Sequence, residues 1–240
     1  PDLDEAARVA LAKEHFRRLG RALAEVTIAW WGSPARIRRL VRLDDDTELR
    51  AMQAPGEVIM LAPHFIGMEI VGARIQLDLA AASFYSKQSD PVFDAFVASR
   101  RRRFHPTRLI SRQDGVKPAI RALRDKVPLF FPGDLDFGPR DAVFAPFFGV
   151  PAATITALPR LAKMTGARVV AVVATQLGSG EGYRLEMTRL FDGDFPGPDV
   201  VADMARVNAF IESRVRAMPA QYYWVHKRFK TRPPDEPGFY

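Results

Sequence analysis

The stretch Val58-Ile59-Met60-Leu61-Ala62-Pro63-His64-Phe65-Ile66-Gly67-Met68-Glu69 is where the chain changes character. Val58 to Ala62 is a short apolar run of strand length, a proline follows, and Ile66 to Leu77 takes up helical spacing. The alternation then recurs. A strand is expected at Ala82 to Tyr85, helices at Pro91 to about Arg103 and at Val116 to Lys126, and a strand at Val127 to Phe131. After the loop Pro132 to Pro151 come a helix over Ala152 to Thr165, strands at Arg168 to Thr175 and Tyr183 to Leu190, and a last helix over Asp199 to Met218. Strands alternating with helices predict an α/β fold, a central mixed and mostly parallel sheet flanked by helices on both faces. The loop is rich in Gly, Pro and Phe, and an irregular stretch of that length usually serves function.

Upstream, Val9, Phe16, Leu19, Leu23 and Val26 share one side of a helical pattern, with Arg8, Lys13, Arg17 and Arg21 largely elsewhere. This predicts an amphipathic helix capped at Asp2 or Asp4 and ending near Trp30-Trp31-Gly32. A short basic helix over Ala35 to Leu43 follows, closed by the acidic run Asp44 to Asp46. Residues 1–45 then form an N-terminal amphipathic helical region and 55–240 the α/β core of a single domain, a length one α/β domain accommodates.

Composition narrows the chemistry. Hydrophobic residues make up 48% of the 240, enough to bury a core, and the absence of cysteine excludes disulfides, Fe–S clusters and a thiolate nucleophile. No apolar run approaches the ~18 to 20 residues of a membrane span. The chain starts at Pro1, not Met, which suggests a trimmed form. A net charge of +7 predicts anionic partners. H-E-x-x-H, P-loop and G-x-S-x-G patterns are all absent. The run Gly178-Ser179-Gly180-Glu181-Gly182 lies between two expected strands and reads as a hairpin turn. Tyr222, Tyr223 and Trp224 beside Lys227 and Arg228 suggest a rival, a nucleic-acid-binding module, but no recognised module accompanies them.

His64 and Glu69 stand out because a histidine sits where an apolar strand ends, with a carboxylate five residues on. On one continuous helix they would lie roughly 140° apart and could not touch. With His64 in the turn and Glu69 in the first helical turn, the carboxylate can hold one ring nitrogen and leave the other free as a base. Imidazole titrates at about 6.5 in water, which suits it to take a hydroxyl proton near neutral pH. The plain alternative is a surface histidine beside an unrelated glutamate.

These residues match an H-x-x-x-x-(D/E) motif, and their surroundings resemble the lipid A biosynthesis late acyltransferases of the lauroyl/myristoyl type. Two further stretches carry the likeness: Gly133-Asp134-Leu135-Asp136-Phe137-Gly138-Pro139-Arg140 continuing to Thr154, and Gln221-Tyr222-Tyr223-Trp224-Val225-His226-Lys227-Arg228-Phe229-Lys230-Thr231-Arg232-Pro233. The resemblance implies a glycerol-3-phosphate-acyltransferase-like fold. It implies transfer of a fatty acyl chain from acyl carrier protein to a hydroxyl of a hydroxyacyl chain on a Kdo-lipid A precursor, at the cytoplasmic face of the bacterial inner membrane. It makes His64 the general base, Glu69 its orienting partner, and Arg101 and Asp134 further catalytic residues. Expected substrate contacts are Arg100, Asp136, Arg140, Phe144, Phe147, Phe148, Lys230 and Arg232, the phenylalanines as walls of an acyl tunnel. No metal, nucleotide or other cofactor is implied, and nucleic acid is not an expected partner.

The alternatives are structural ion pairs for Arg101 and Asp134, core packing for the phenylalanines, and a different glycolipid or an aryl or amino-acid lipid as acceptor. Of four consecutive arginines, only Arg100 and Arg101 stand three or four positions from Phe96 or Val97, on the inward side, which leaves Arg102 and Arg103 solvated. The basic stretches Arg100 to Arg112 and Lys227 to Arg232 suit either the acidic carrier protein or an anionic headgroup. The chain departs from the family pattern at Tyr85-Ser86-Lys87 and Asp90-Pro91, and it lacks the hydrophobic anchor expected ahead of the first helix.

Overall fold

Buried apolar runs pair edge to edge into a seven-stranded sheet in the computed structural model, which describes residues 3–240 apart from the side chain of Arg112. In chain order the strands are β1 (Val41–Leu43), β2 (Val58–Leu61), β3 (Ala82–Tyr85), β4 (Arg108–Ser111), β5 (Leu129–Phe131), β6 (Ala142–Phe147), β7 (Val150–Ile155), β8 (Arg168–Gln176) and β9 (Tyr183–Leu190). The sheet runs β1-β9-β8-β2-β5-β3-β4, with every neighbouring pair parallel except β8–β9. Every residue of β2 is buried, as a central parallel strand covered on both faces requires.

Helices α1 (Glu5–Trp31), α2 (Pro34–Leu40), α3 (Thr47–Ala51), α4 (Met68–Ile75), α5 (Pro91–Arg100), α6 (Lys117–Arg124), α7 (Ala157–Thr165) and α8 (Val200–Ala217) clothe it. One face packs on Leu123 of α6, Leu158 and Leu161 of α7 and Val207 and Ile211 of α8. The other packs on Ala29 of α1, Ile37 of α2 and Ile70 of α4. Asp4 caps α1 by accepting from the Ala7 N–H, while Asp2, the alternative cap, lies outside the described residues. Among the described residues no helix is long and apolar enough to cross a membrane.

Several boundaries differ from the sequence expectation, each for a tertiary reason. Val41–Leu43 leaves the basic helix to pair with Tyr183–Leu185 as an edge strand. Arg108–Ser111 is an edge strand beside β3, too polar for its pattern to show. The stretch expected as an irregular loop contains the hairpin β6–β7. Phe148 and Gly149 both take positive φ, 52° and 74°, in a two-residue turn, the conformation that matches strand twist. β7 therefore runs through Ala152, and α7 begins only at Ala157. The helix after β2 starts at Met68 and not Ile66, because Gly67 takes φ 95° and a Cβ there would fall 2.3 Å from the Tyr183 ring.

Helix α1 packs Ile28 and Trp30 on the core and keeps Leu19 and Val26 partly covered, but it also turns large apolar side chains outward. It buries His15, Ala22 and Ala29 and leaves Val9, Phe16 and Leu23 exposed. Its inner flank carries Arg18 and Arg21, which donate to the carbonyls of Gln176, Leu177 and Gly178 at the β8–β9 turn.

Candidate active site

Parallel register builds the first part of the site. β2 and β5 are neighbours with Leu61 opposite Phe131. Three residues beyond each strand end the chain reaches His64 and Asp134, at the carboxyl edge where open α/β sheets place their ligands. Gly133 permits the approach, since a Cβ on it would lie 2.1 Å from the Phe131 ring. Asp134 is 1% exposed and holds His64 twice, accepting from its backbone N–H at 2.9 Å and meeting its ring Nδ1 at 2.6 Å. Burial alone would raise this carboxyl, but the His64 ring and N–H and the Tyr222 hydroxyl outweigh it and hold it below the ordinary value. An ionised carboxylate only accepts, so Nδ1 donates and Nε2 of the neutral ring keeps its lone pair. The His64 side chain is 17% exposed, and among the described residues nothing hydrogen-bonds that Nε2.

The C-terminal segment clamps this junction. Tyr223 N–H donates to the His64 carbonyl at 2.9 Å, Ile66 N–H to the Gln221 carbonyl at 2.8 Å, and Phe65 bridges Tyr222. The Tyr222 phenol is buried between Asp134 and Arg228, and burial, then Asp134, pushes it well up. Arg228, also buried, donates to the Ala153 carbonyl and to Thr154 Oγ1. Asp136 accepts from Gly138 N–H, Thr231 N–H and Thr231 Oγ1, while its own N–H donates to His226 Nε2 at 2.8 Å. His226 is thereby an acceptor, and burial, then Lys230, lowers its ring below the ordinary value.

Glu69 belongs to a second charged pair. In the first turn of α4, it receives two hydrogen bonds from Arg101, at 3.1 and 2.7 Å, and one from the Trp30 indole at 3.5 Å. The contact expected between His64 and Glu69 is not made. Starting α4 one turn past the histidine turns Glu69 toward the end of α5, and the carboxylate facing His64 is Asp134. Glu69 and Arg101 instead line a cavity of about 90 Å³, with Trp30, Met68, Phe84 and Arg100 also in its wall. His64 is not among the residues lining it. Burial opposes the charge on Arg101, but Glu69 prevails and raises its pKa.

The other expected contacts divide. Arg100 reaches the Trp30 carbonyl at 3.4 Å, and Arg103, expected to be solvated, reaches the Ala29 and Trp31 carbonyls. They serve the C-terminus of α1, whose own last turn holds no basic residue. Asp136 and Arg232 are engaged within the fold, the latter with the Pro151 carbonyl and Glu236. Phe147 is a core residue against Tyr222 and Phe229, and Phe148 packs on that core beside Trp224. Phe144 is half-buried. Arg140 and Lys230 stand exposed. Sequence reading missed Trp30, Tyr222, His226 and Arg228 as parts of the site. The last three sit inside the C-terminal stretch already singled out, but nothing local marks which of its aromatic and basic residues turn inward. Of the residues on which the nucleic-acid rival relied, Tyr222 and Arg228 are buried, while Tyr223, Trp224 and Lys227 stay exposed.

Comparison with known proteins adds an independent line. The family described as bacterial lipid A biosynthesis acyltransferase matches residues 1–231. The chain is 31% identical over its full length to the lipid A biosynthesis lauroyltransferase of Escherichia coli K12, covering 78% of that protein. It is 30% identical to the palmitoleoyltransferase of the same strain, again over the full chain and 78% of the relative. Against the myristoyltransferase of that strain the identity is 32%, over 98% of this chain and 73% of the relative.

Proposed function

Because the chain belongs to the bacterial lipid A biosynthesis acyltransferase family, we propose that it moves a fatty acyl chain from an acyl carrier protein thioester to a hydroxyl of a hydroxyacyl chain on a Kdo-lipid A precursor, with His64 as general base and Asp134 as the carboxylate that orients it. The observation carrying this reading is the 2.6 Å contact between Nδ1 and Asp134, which leaves Nε2 unpaired on a partly exposed ring.

The reaction needs little more than positioned groups. Nε2 takes the hydroxyl proton as the acceptor oxygen attacks the thioester carbonyl carbon. The tetrahedral oxyanion collapses with cleavage of the C–S bond, and the leaving thiolate takes the proton back from the imidazolium. Asp134 stabilises that imidazolium and fixes the tautomer, as the acid does in any carboxylate–histidine couple. Arg101 supplies a cation at the cavity edge, suited to the developing oxyanion or to an anionic part of either substrate. A thioester is activated enough that no covalent enzyme intermediate is required, so the lack of cysteine is no handicap. The relatives' names, lauroyltransferase and palmitoleoyltransferase of lipid A biosynthesis, support a fatty acyl donor and a lipid A acceptor, and an acceptor of that kind puts the reaction at the inner membrane.

The decisive experiment is His64→Ala in an acyl-transfer assay with acyl carrier protein thioester and the lipid A precursor. The expected loss is about a thousandfold or more in kcat; a rate near wild type would overturn the role of His64.

A further inference from the structure

We propose that the outward face of α1, with the first turn of α5, seats in the surface of an anionic lipid bilayer and brings the Glu69–Arg101 cavity to the membrane boundary. This rests on the reading that the acyl acceptor is a membrane lipid.

The pattern of α1 is the primary observation. A helix on the surface of a soluble protein turns its large apolar side chains inward and its charges outward. Here the buried positions step by seven through His15, Ala22 and Ala29, and the inner flank spends Arg18 and Arg21 on backbone carbonyls. The outward positions step by seven through Val9, Phe16 and Leu23, of which Phe16 is 61% and Leu23 64% exposed. From Gly20 to Trp31 the exposed residues are Gly20, Leu23, Ala24, Thr27 and Trp31, a solvent face without one charge. The stripe continues onto α5. Trp31, 58% exposed, meets Phe96 at a tilt, and Trp30 meets Phe93 edge-on beside Val92, which is 76% exposed. A contiguous patch of this kind marks an interaction surface.

Charge selects the occupant. Lys13 beside the stripe and Arg36 and Arg39 of α2 beyond Trp31 are exposed and form no ion pair among the described residues. An apolar stripe containing Trp and Phe with unpaired cations at its rim fits the boundary of acyl chains and anionic headgroups. Position agrees. Trp30, next to Trp31, lines the cavity and donates to Glu69, and Arg100 lines the same cavity while holding the Trp30 carbonyl. A lipid tail leaving the bilayer along this face reaches the cavity wall without crossing water.

Flotation with phosphatidylcholine vesicles containing about one third phosphatidylglycerol tests the proposal, using the wild-type protein and the double variant Phe16→Ser/Leu23→Ser. Both side chains face solvent, so circular dichroism and the melting temperature are expected to be unchanged. Wild type is expected to float with the anionic vesicles, and less with pure phosphatidylcholine or in high salt. The variant is expected to lose about tenfold in partitioning, as is Lys13→Glu/Arg36→Glu/Arg39→Glu. Transfer to a detergent-dispersed acceptor should then stay unchanged while transfer to a vesicle-embedded acceptor falls. Equal flotation of wild type and double variant overturns the proposal, as does a wild-type dimer in sedimentation that the double variant converts to monomer. If flotation responds as expected but neither protein transfers acyl chains, the docking surface stands and the proposed reaction fails. Intact transfer with unaltered flotation leaves the reaction standing and removes the docking surface.

Discussion

Two carboxylates, one past the end of β2 and one past the end of β5, each hold one basic side chain, and the two pairs differ in almost every physical respect. Asp134 is sealed from solvent and accepts from the ring and backbone of one residue, with Tyr222 behind it. Glu69 keeps 24% of its side chain open and shares a cavity wall with its partner Arg101, itself 32% open. On the proposed mechanism the closed pair, with Asp134 sealed from solvent, would act by fixing the imidazole in one orientation before any substrate arrives, with no reorganisation during reaction. The open pair faces the cavity, where its cation can meet a bound group directly.

That contrast ranks the expected effects of mutation. Asp134→Asn is expected to be the most damaging change after His64→Ala. An amide in place of the carboxylate removes the charge that favours the imidazolium and no longer dictates the tautomer, for a loss of about a thousandfold to ten-thousandfold in kcat. Glu69→Gln keeps one acceptor for Arg101 and leaves the guanidinium in the cavity, so a fall of about ten- to a hundredfold is expected. Steady-state kinetics on the two variants breaks the comparison if their losses are equal, because the open pair would then be as essential to orientation as the closed one.

Tyr222→Phe sharpens the comparison from behind. The groups facing Asp134 are the His64 ring and N–H and the Tyr222 phenol, with His226 nearby and Arg228 on the far side of the phenol. The carboxyl is depressed in the folded state, so its contribution to stability is complete above the ordinary value of about 3.9 and disappears as pH falls through the folded value. Removing the phenol raises the folded value toward the ordinary one. Acid unfolding should then begin at higher pH, and activity should drop by about tenfold. An unmoved acid-unfolding midpoint would show that Asp134 is held by His64 alone.

The sequence discloses the halves of this site but not their pairing. His64 and Glu69 are legible because they follow an apolar strand within a few residues, and Asp134 only through the family resemblance of the stretch that Gly133 opens. Which carboxylate meets the imidazole depends on β2 and β5 lying side by side in register, a contact between residues 70 positions apart that no local spacing records. The same limit explains the β6–β7 hairpin. Its turn is set by positive φ at Phe148, a residue type that seldom adopts it, so the local signal favoured loop and helix. Helix α1 shows the limit from another side: its periodicity reveals an amphipathic helix, and only the tertiary packing reveals which face is turned out.

The smallest expected effect concerns the hinge between the loop after β5 and the C-terminal segment. His226 Nε2 accepts the Asp136 N–H, a bond that protonation of the ring would abolish, and burial and Lys230 lower the ring further than Asp136 and Asp134 can offset. With the folded value below the ordinary one near 6.5, the unfolded chain binds the proton first as the solution is acidified. Above the ordinary value neither state binds it and the group is silent. Below it stability falls until the folded ring also titrates. In His226→Gln the side-chain carbonyl still accepts from Asp136 but cannot be protonated. Between about pH 7.5 and pH 5.5 the urea midpoint of wild type should therefore fall more than that of the variant. Parallel lines for the two proteins would place the acid sensitivity elsewhere, in the His64–Asp134 junction that the same segment clamps.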